Sequence, residues 1–579
     1  MTSVDELFRV SEIYKSAKIS PNGTAKSNGI AHSATVEEDD DDDDDDVEAG
    51  PALPPDDEEE SPDDDEEGRF FGGGISDDTK EVLDFIDSRG VGKDEDDEGV
   101  EIIDSAWLKK MAIGFERKIN KNAEMRSRWE NDPAKFMTSE ADLDSDIKAL
   151  SILSEHPELY DEFAKLGCVG SLISLLSHEN TDIAIAAIEV IGELIDEDVD
   201  AEDNQWSVLV EAMLDADLID LLTQNLARFD EKDEADRNGV YHVLSVIENL
   251  SSQSTIAEKT GRNSSIISWL SARIQQAESP VGQNRQYAAE VLAILLQASA
   301  QNRSRYIDAD GVDTLLQLLS AYRKRDPPKD SEEEEYAENL FDALTCLVDE
   351  PLGKGKFLEA EGIELCLIMI REGKMSKSRA LRVLDHALGG PSGASACEQL
   401  VEAVGLKTIF GMFMKKQERG NMEHILGIFS SLLRQLPGGS AARIRVLAKF
   451  VEKEYEKIDK IVALRREVAD RVSEVDRVIA SERRALSKQD QDDMEGEWLS
   501  RRFDAGLFSV QTIDLILAWL IAEDGGASQK IRTLLKDRDE DFGIIRGTLQ
   551  EQLDGLEGDE ASDADRDTQE MLKALLQFV

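Results

Sequence analysis

The sequence predicts an all-α solenoid, on three observations. First, a six-residue pattern, polar-apolar-apolar-x-apolar-apolar, recurs as SLISLL (171–176), DLIDLL (217–222), SIISWL (265–270), TLLQLL (314–319), ELCLIM (364–369) and TIFGMF (408–413). Successive copies start 46, 48, 49, 50 and 44 residues apart, a near-constant phase that unrelated helices of a bundle would not keep. Second, most copies are followed by a polar turn and a longer helical pattern: Thr181–Ile195, Arg237–Leu250, Arg285–Gln297, Glu333–Val348, Lys377–Leu388 and Asn421–Leu433. Third, prolines fall between apolar runs, at Asp132-Pro133, His156-Pro157, Pro327-Pro328 and Leu436-Pro437, and no stretch alternates with period two. These are helix boundaries in a chain without strand signals. A turn, a short apolar helix and a longer helix every 40–50 residues read as an armadillo/HEAT-type array, a right-handed superhelical solenoid.

The elements follow in order. Residues 1–100 carry 34 acidic and 8 basic residues, and within Glu37–Glu67 acids fill 21 of 31 positions with no base. Such a segment buries too little apolar surface to offset the entropy of ordering, so a disordered acidic tail and linker is expected. The stretch 101–139 is locally basic, with Lys109, Lys110, Arg117, Lys118, Lys121, Arg126, Arg128 and Lys135; it is expected to form a helical cap over the first repeat. Its bases more simply neutralise neighbouring acidic repeats than contact RNA. The array is expected over 140–439. Over 440–579 a second helical cap is expected, opening with a long charged helix, Ala441–Leu486. Nine of its eleven heptad positions are apolar, the exceptions being Arg465 and Glu454. This seam suits packing within the chain, with a homodimer contact as the rival reading. Beyond it, Trp498–Ile521 reads as one buried helix.

The net charge of −59 excludes a general nucleic-acid-binding role, because polyanions are repelled at long range. Removing the tail leaves −33, so a basic partner is expected. Four cysteines (Cys168, Cys346, Cys366, Cys397) make no CxxC pair or disulfide framework, as in a reducing compartment. The first residues show no basic-then-apolar signal pattern, and the most apolar window, Leu507–Ile521, is short and interrupted by Gln511 and Asp514, so no membrane association is expected. No catalytic constellation appears. The six histidines lack metal-ligand spacing, and no phosphate-binding glycine loop or nucleophile elbow occurs. Asp541-Phe542-Gly543 spells a kinase tripeptide without its surrounding motifs. The expectation is a protein that is not an enzyme and needs no cofactor or metal.

The remaining candidate site is the inner face of the solenoid, lined by the longer helices. These carry acids at helical spacing: Glu189, Glu193 and Asp196; Glu248 beside Asn249; Glu290; and Glu338 with Asp342. Steps of three and four put Glu189, Glu193 and Asp196 on one helix face, and likewise Glu338 and Asp342. Like charges so placed repel, and a facing cation relieves the repulsion. The eight residues form the candidate peptide-binding groove.

Several ordered stretches carry a resemblance to a family: NDPAKFMTSEADLDSDI (131–147), HENTDIAIAAIEVIGELID (178–196), EVLAILLQ (290–297), ALRVLDHALGGP (380–391), GLKTIFGMFMK (405–415) and RRFDAGLFSV (501–510). Together they resemble the nuclear beta-catenin-like armadillo proteins over roughly residues 105–579. The resemblance implies a non-enzymatic nuclear scaffold of the spliceosome-activating nineteen complex, acting in pre-mRNA splicing. It implies binding to basic, nuclear-localisation-like segments of splicing factors, notably the Myb-like cell-division-cycle-five factor. The first 36 residues depart from family members that open with a basic import signal, offering only Arg9, Lys15, Lys18 and Lys26. The alternative reading is a nuclear transport adaptor or histone chaperone for basic cargo.

Overall fold

The computed structural model describes residues 103–556, apart from Pro391, and 563–579; the expected acidic tail lies outside them. The described chain is helical throughout. Helix α1 (Ser105–Arg128) starts where Asp104 accepts hydrogen bonds from the backbone N–H groups of Ala106 and Trp107, an N-cap. It buries Leu108, Ala112 and Phe115 against α2 (Met137–Ala149). Its bases turn to acids of the neighbouring units: Lys109 to Glu162 at 2.9 Å, Lys118 to Asp146 at 2.5 Å, and Arg126 to Glu140.

Triplets follow, each made of two short helices and one longer helix. They are α3–α5 (Tyr160–Lys165, Cys168–Ser174, Thr181–Leu194) and α6–α8 (Asp203–Asp215, Leu218–Arg228, Glu234–Leu250). Next come α9–α11 (Ser254–Arg262, Ser264–Gln275, Gln283–Ala298) and α12–α14 (Ala300–Asp308, Gly311–Leu319, Glu332–Asp349). The last two are α15–α17 (Pro351–Glu359, Gly362–Glu372, Met375–Leu388) and α18–α20 (Ala394–Glu402, Gly405–Phe413, Arg419–Gln435). The six-residue patterns are the second helices and the longer patterns the third. The first helices escaped the periodicity search. Three helices per unit is the armadillo arrangement, and the third helices stack in chain order from α2 through α5, α8, α11, α14 and α17 to α20.

The corner between first and second helices explains the small residues that precede the repeated pattern. A left-handed residue closes it at Gly167, Asp217, Asp310, Glu361 and Val404, with φ of 79°, 62°, 57°, 56° and 60°. The next residue lies so close to the first helix that a Cβ on Gly362 would stand 2.2 Å from the Phe357 ring. A β-branched residue in this region, as at Val404, costs on the order of 1–2 kcal/mol.

The long charged helix is not continuous. α21 (Ala441–Ala485) breaks at Glu452, and Lys453, Glu454 and Tyr455 follow with φ of 54°, 56° and 69°. The break repeats the corner seen in the array. The part before it packs on α18, as a first helix does; the part after it runs back along α22 (Lys488–Ala505), α23 (Leu507–Glu523) and α24 (Gly525–Lys536). The heptad pattern therefore spans two helices. Beyond the break, Ile458, Ile461, Val468, Val472 and Ile479 are buried, and this seam is filled by the chain's own helices. The expected single helix over Trp498–Ile521 is also two. Gly506, at φ 109°, separates α22 from α23, which meet at a bend of 62°. Only α23 is buried along its length. It packs on α20 as the next third helix, and α25 (Gly543–Gly555) packs on α23 in turn, with α26 (Asp563–Leu575) against α25. The stack thus continues past residue 440. Among the described residues no single helix is long and apolar enough to cross a membrane.

In several first helices the fourth residue, or its neighbour, donates to the carbonyl end of the preceding third helix. Arg303 Nη1 donates to Leu296 O at 3.0 Å, and Lys354 Nζ to Val348 O at 2.9 Å. Arg443 donates to Leu433 O, and Trp206 Nε1 to Ile195 O at 3.4 Å. The cations satisfy orphan carbonyls and meet the negative end of the helix dipole.

Candidate functional site

Each third helix buries most of its surface and leaves one exposed line, stepping by three or four residues. Side by side, these lines form the groove. Glu189 and Glu193 lie on the line of α5, His242, Ser245, Glu248 and Asn249 on α8, Glu290 on α11, and Glu338 and Asp342 on α14. Asp196 falls just past the end of α5.

At the N-terminal end the groove deepens into a cleft of about 740 Å³, lined by Glu189, Glu193 and Asp196 with Glu158, Asp198 and His242. Among its described lining residues there is no lysine or arginine. The crowding acts on the carboxyls. Burial raises the Glu193 carboxyl above its ordinary value, and Glu189 adds to the rise while His242 opposes it. Burial also raises Glu248; the Tyr287 hydroxyl, which donates to it, works the other way, and Glu290, Glu197 and Asp196 push it up again. Five candidate acids, Glu189, Glu193, Asp196, Glu248 and Glu290, thus stand in one field spanning α5, α8 and α11. Among the described residues none of the five is held in a salt bridge. Lys148, bonded to Asp144 at 2.9 Å, also feels Glu189. Gln286 Nε2 donates to Glu290 at 2.8 Å, and the Asn249 Nδ2 has no hydrogen-bond partner among the described residues.

The other two candidates are placed differently. Glu338 pairs with Arg379 and Asp342 with Arg382, both arginines coming from the next third helix, α17. Downstream the pattern continues, with Asp349 facing His386 at 3.5 Å and Asp385 facing His424 at 3.0 Å. The sequence reading singled out acids and Asn249 and missed these partners. Arg379 and Arg382 step by three along a recognised helix, so scoring cations on the same register would have found them. Among the described residues no group of three or more histidine, cysteine or acidic side chains is placed to hold a metal ion. The groove offers carboxylates to a cation.

A stack of three-helix units with an acid-lined inner groove defines an armadillo-type repeat scaffold. The sequence profile of the family described as catenin-beta-like, Arm-motif containing nuclear proteins matches residues 80–550. Beta-catenin-like protein 1 homolog of Schizosaccharomyces pombe is 38% identical over 479 residues, covering 83% of this chain and 83% of that protein. Beta-catenin-like protein 1 of Homo sapiens is 36% identical over 468 residues, covering 78% and 82%. The chain belongs to the catenin-beta-like family of nuclear Arm-motif proteins. Among solved structures, a designed armadillo repeat protein aligns with 46% of this chain and 99% of its own length, at 13% identity and a TM-score of 0.36.

Proposed function

We propose that this protein is a nuclear scaffold in pre-mRNA splicing, within the nineteen complex, whose groove holds a lysine- and arginine-rich segment of a splicing factor. The Myb-like cell-division-cycle-five factor is the partner that the family resemblance implies. The observation that carries the reading is the set of carboxylates without ion-pair partners, Glu189, Glu193 and Asp196 lining one cleft and Glu248 and Glu290 on the next two third helices. A basic segment laid across them relieves their mutual repulsion, and because most remain partly solvated the attraction is salt-sensitive and fast to form.

The test is fluorescence anisotropy of a basic peptide against the full chain across a salt series. Glu189→Lys with Glu193→Lys weakens binding by about tenfold at low salt, two partly exposed pairs at up to about 1 kcal/mol each. Binding indifferent to salt and to this reversal rejects the groove. The acidic run Glu37–Glu67 favours the second reading, a chaperone or transport adaptor for basic cargo. Deleting residues 1–69 separates the two: a chaperone loses most of its histone affinity, whereas groove binding of one peptide persists.

A further inference from the structure

The groove changes character between α11 and α14. Up to Glu290 its candidate carboxylates lack ion-pair partners; from Glu338 onward they meet cations or histidines of the chain itself. The match at the change is close. Glu338 and Asp342 are four apart on α14, Arg379 and Arg382 three apart on α17, so two side chains one turn apart face two others one turn apart. All four are partly exposed, with side-chain exposures of 42% and 33% for the acids and 34% for each arginine. They lie at the surface a ligand would reach.

We infer that Arg379 and Arg382 are built-in occupants of the groove, filling the acidic positions on α14 and ending the track of a basic ligand after α11. This rests on the groove reading above and adds the ligand's length to it. Third helices stack about 10 Å apart, and an extended chain advances about 3.3 Å per residue. The free acids on α5, α8 and α11 therefore match a basic run of about six residues. Opening α14 would add about three.

Two alternating lysine–arginine peptides, of six and twelve residues, test this by anisotropy with the full chain near 0.15 M salt, where long-range charge effects are screened. The variant Arg379→Gln/Arg382→Gln frees Glu338 and Asp342. It is expected to bind the twelve-residue peptide about fivefold more tightly than the natural chain, two exposed pairs at about 0.5 kcal/mol each. Its affinity for the six-residue peptide stays within about twofold of the natural chain. Adding Glu338→Gln and Asp342→Asn to that variant returns the longer peptide to its original affinity. Equal gains for both peptides, or none for the longer one, overturn the inference while leaving the groove intact. If neither peptide binds the natural chain, or Glu189→Lys/Glu193→Lys changes nothing, the groove reading itself fails and this inference with it. Circular dichroism of each variant confirms that the helices are retained.

Discussion

At the scale of the residue, two of the four polar interruptions that the sequence displayed are one interaction. Arg465 stood out as a charge in an apolar heptad series, and Asp514 as a charge in the most apolar window of the chain. They meet in the C-terminal core, Nε to Oδ1 at 2.5 Å and Nη2 to Oδ2 at 3.0 Å, with Asp514 fully buried. Each was legible as an anomaly, but the pairing was not, because 49 residues, including the end of α21 and the bend at Gly506, separate them. Removing one partner leaves the other charged and buried. Arg465→Met is expected to cost about 3–5 kcal/mol by urea denaturation, whereas Arg465→Met with Asp514→Leu costs far less, since a well-packed apolar pair often replaces a buried ion pair without loss. Equal losses for the single and double variants would contradict this account. Val404 shows the opposite limit. Nothing in its side chain announces a left-handed corner; the fold imposes one because the two helices must turn there.

At the scale of the element, second and third helices were readable because amphipathic spacing repeated at a near-constant phase leaves a periodic trace. First helices were not. α12 (AQNRSRYID) and α15 (PLGKGKFLE) are short, polar or glycine-bearing, and they bury the kind of residue that a periodicity search counts as surface, Arg303 and Lys354. Lys354 joins two helix ends, donating to Val348 O at 2.9 Å and to His386 O at 2.6 Å. Lys354→Met leaves both carbonyls without this donor and is expected to destabilise by about 1–3 kcal/mol. Burial lowers its pKa from the ordinary 10.5. The native state therefore binds fewer protons than the unfolded one between the lowered value and 10.5, and this site makes stability rise with pH there. Urea midpoints taken from neutral to alkaline pH show that rise in the natural chain and lose it in Lys354→Met.

At the scale of the molecule, charge and shape divide the groove, and sequence patterning revealed only the charge. It found Glu189, Glu193 and Asp196, which share a cleft, because they step by four and three along and just past one helix. It could not tell the unpaired Glu290 from the paired Glu338, because pairing depends on which helix stacks next. The raised carboxyls make the field sensitive to acid. Glu193 and Glu248 take up protons at higher pH than ordinary glutamates, and a basic ligand needs them ionised. Peptide affinity is expected to fall as pH drops from neutral toward the ordinary glutamate value of 4.5, and to begin falling at lower pH in Glu193→Gln/Glu248→Gln. A pH profile unchanged by that variant would assign the effect elsewhere.

The helix-end donors bear on how firmly the array holds together. Arg303, Lys354 and Arg443 clamp units of its C-terminal part, whereas the corresponding residue at the start of α9 is Ala257, which has no side-chain donor. The seam between α8 and α9, which lacks this donor, borders the acidic stretch. A ligand spanning α5, α8 and α11 would act as an external brace across a seam that has no such donor of its own. Occupancy would then be felt as stiffness, and amide exchange in α8 and α9 should slow on binding more than in α15. Uniform slowing along the chain would show that the seam has no such weakness.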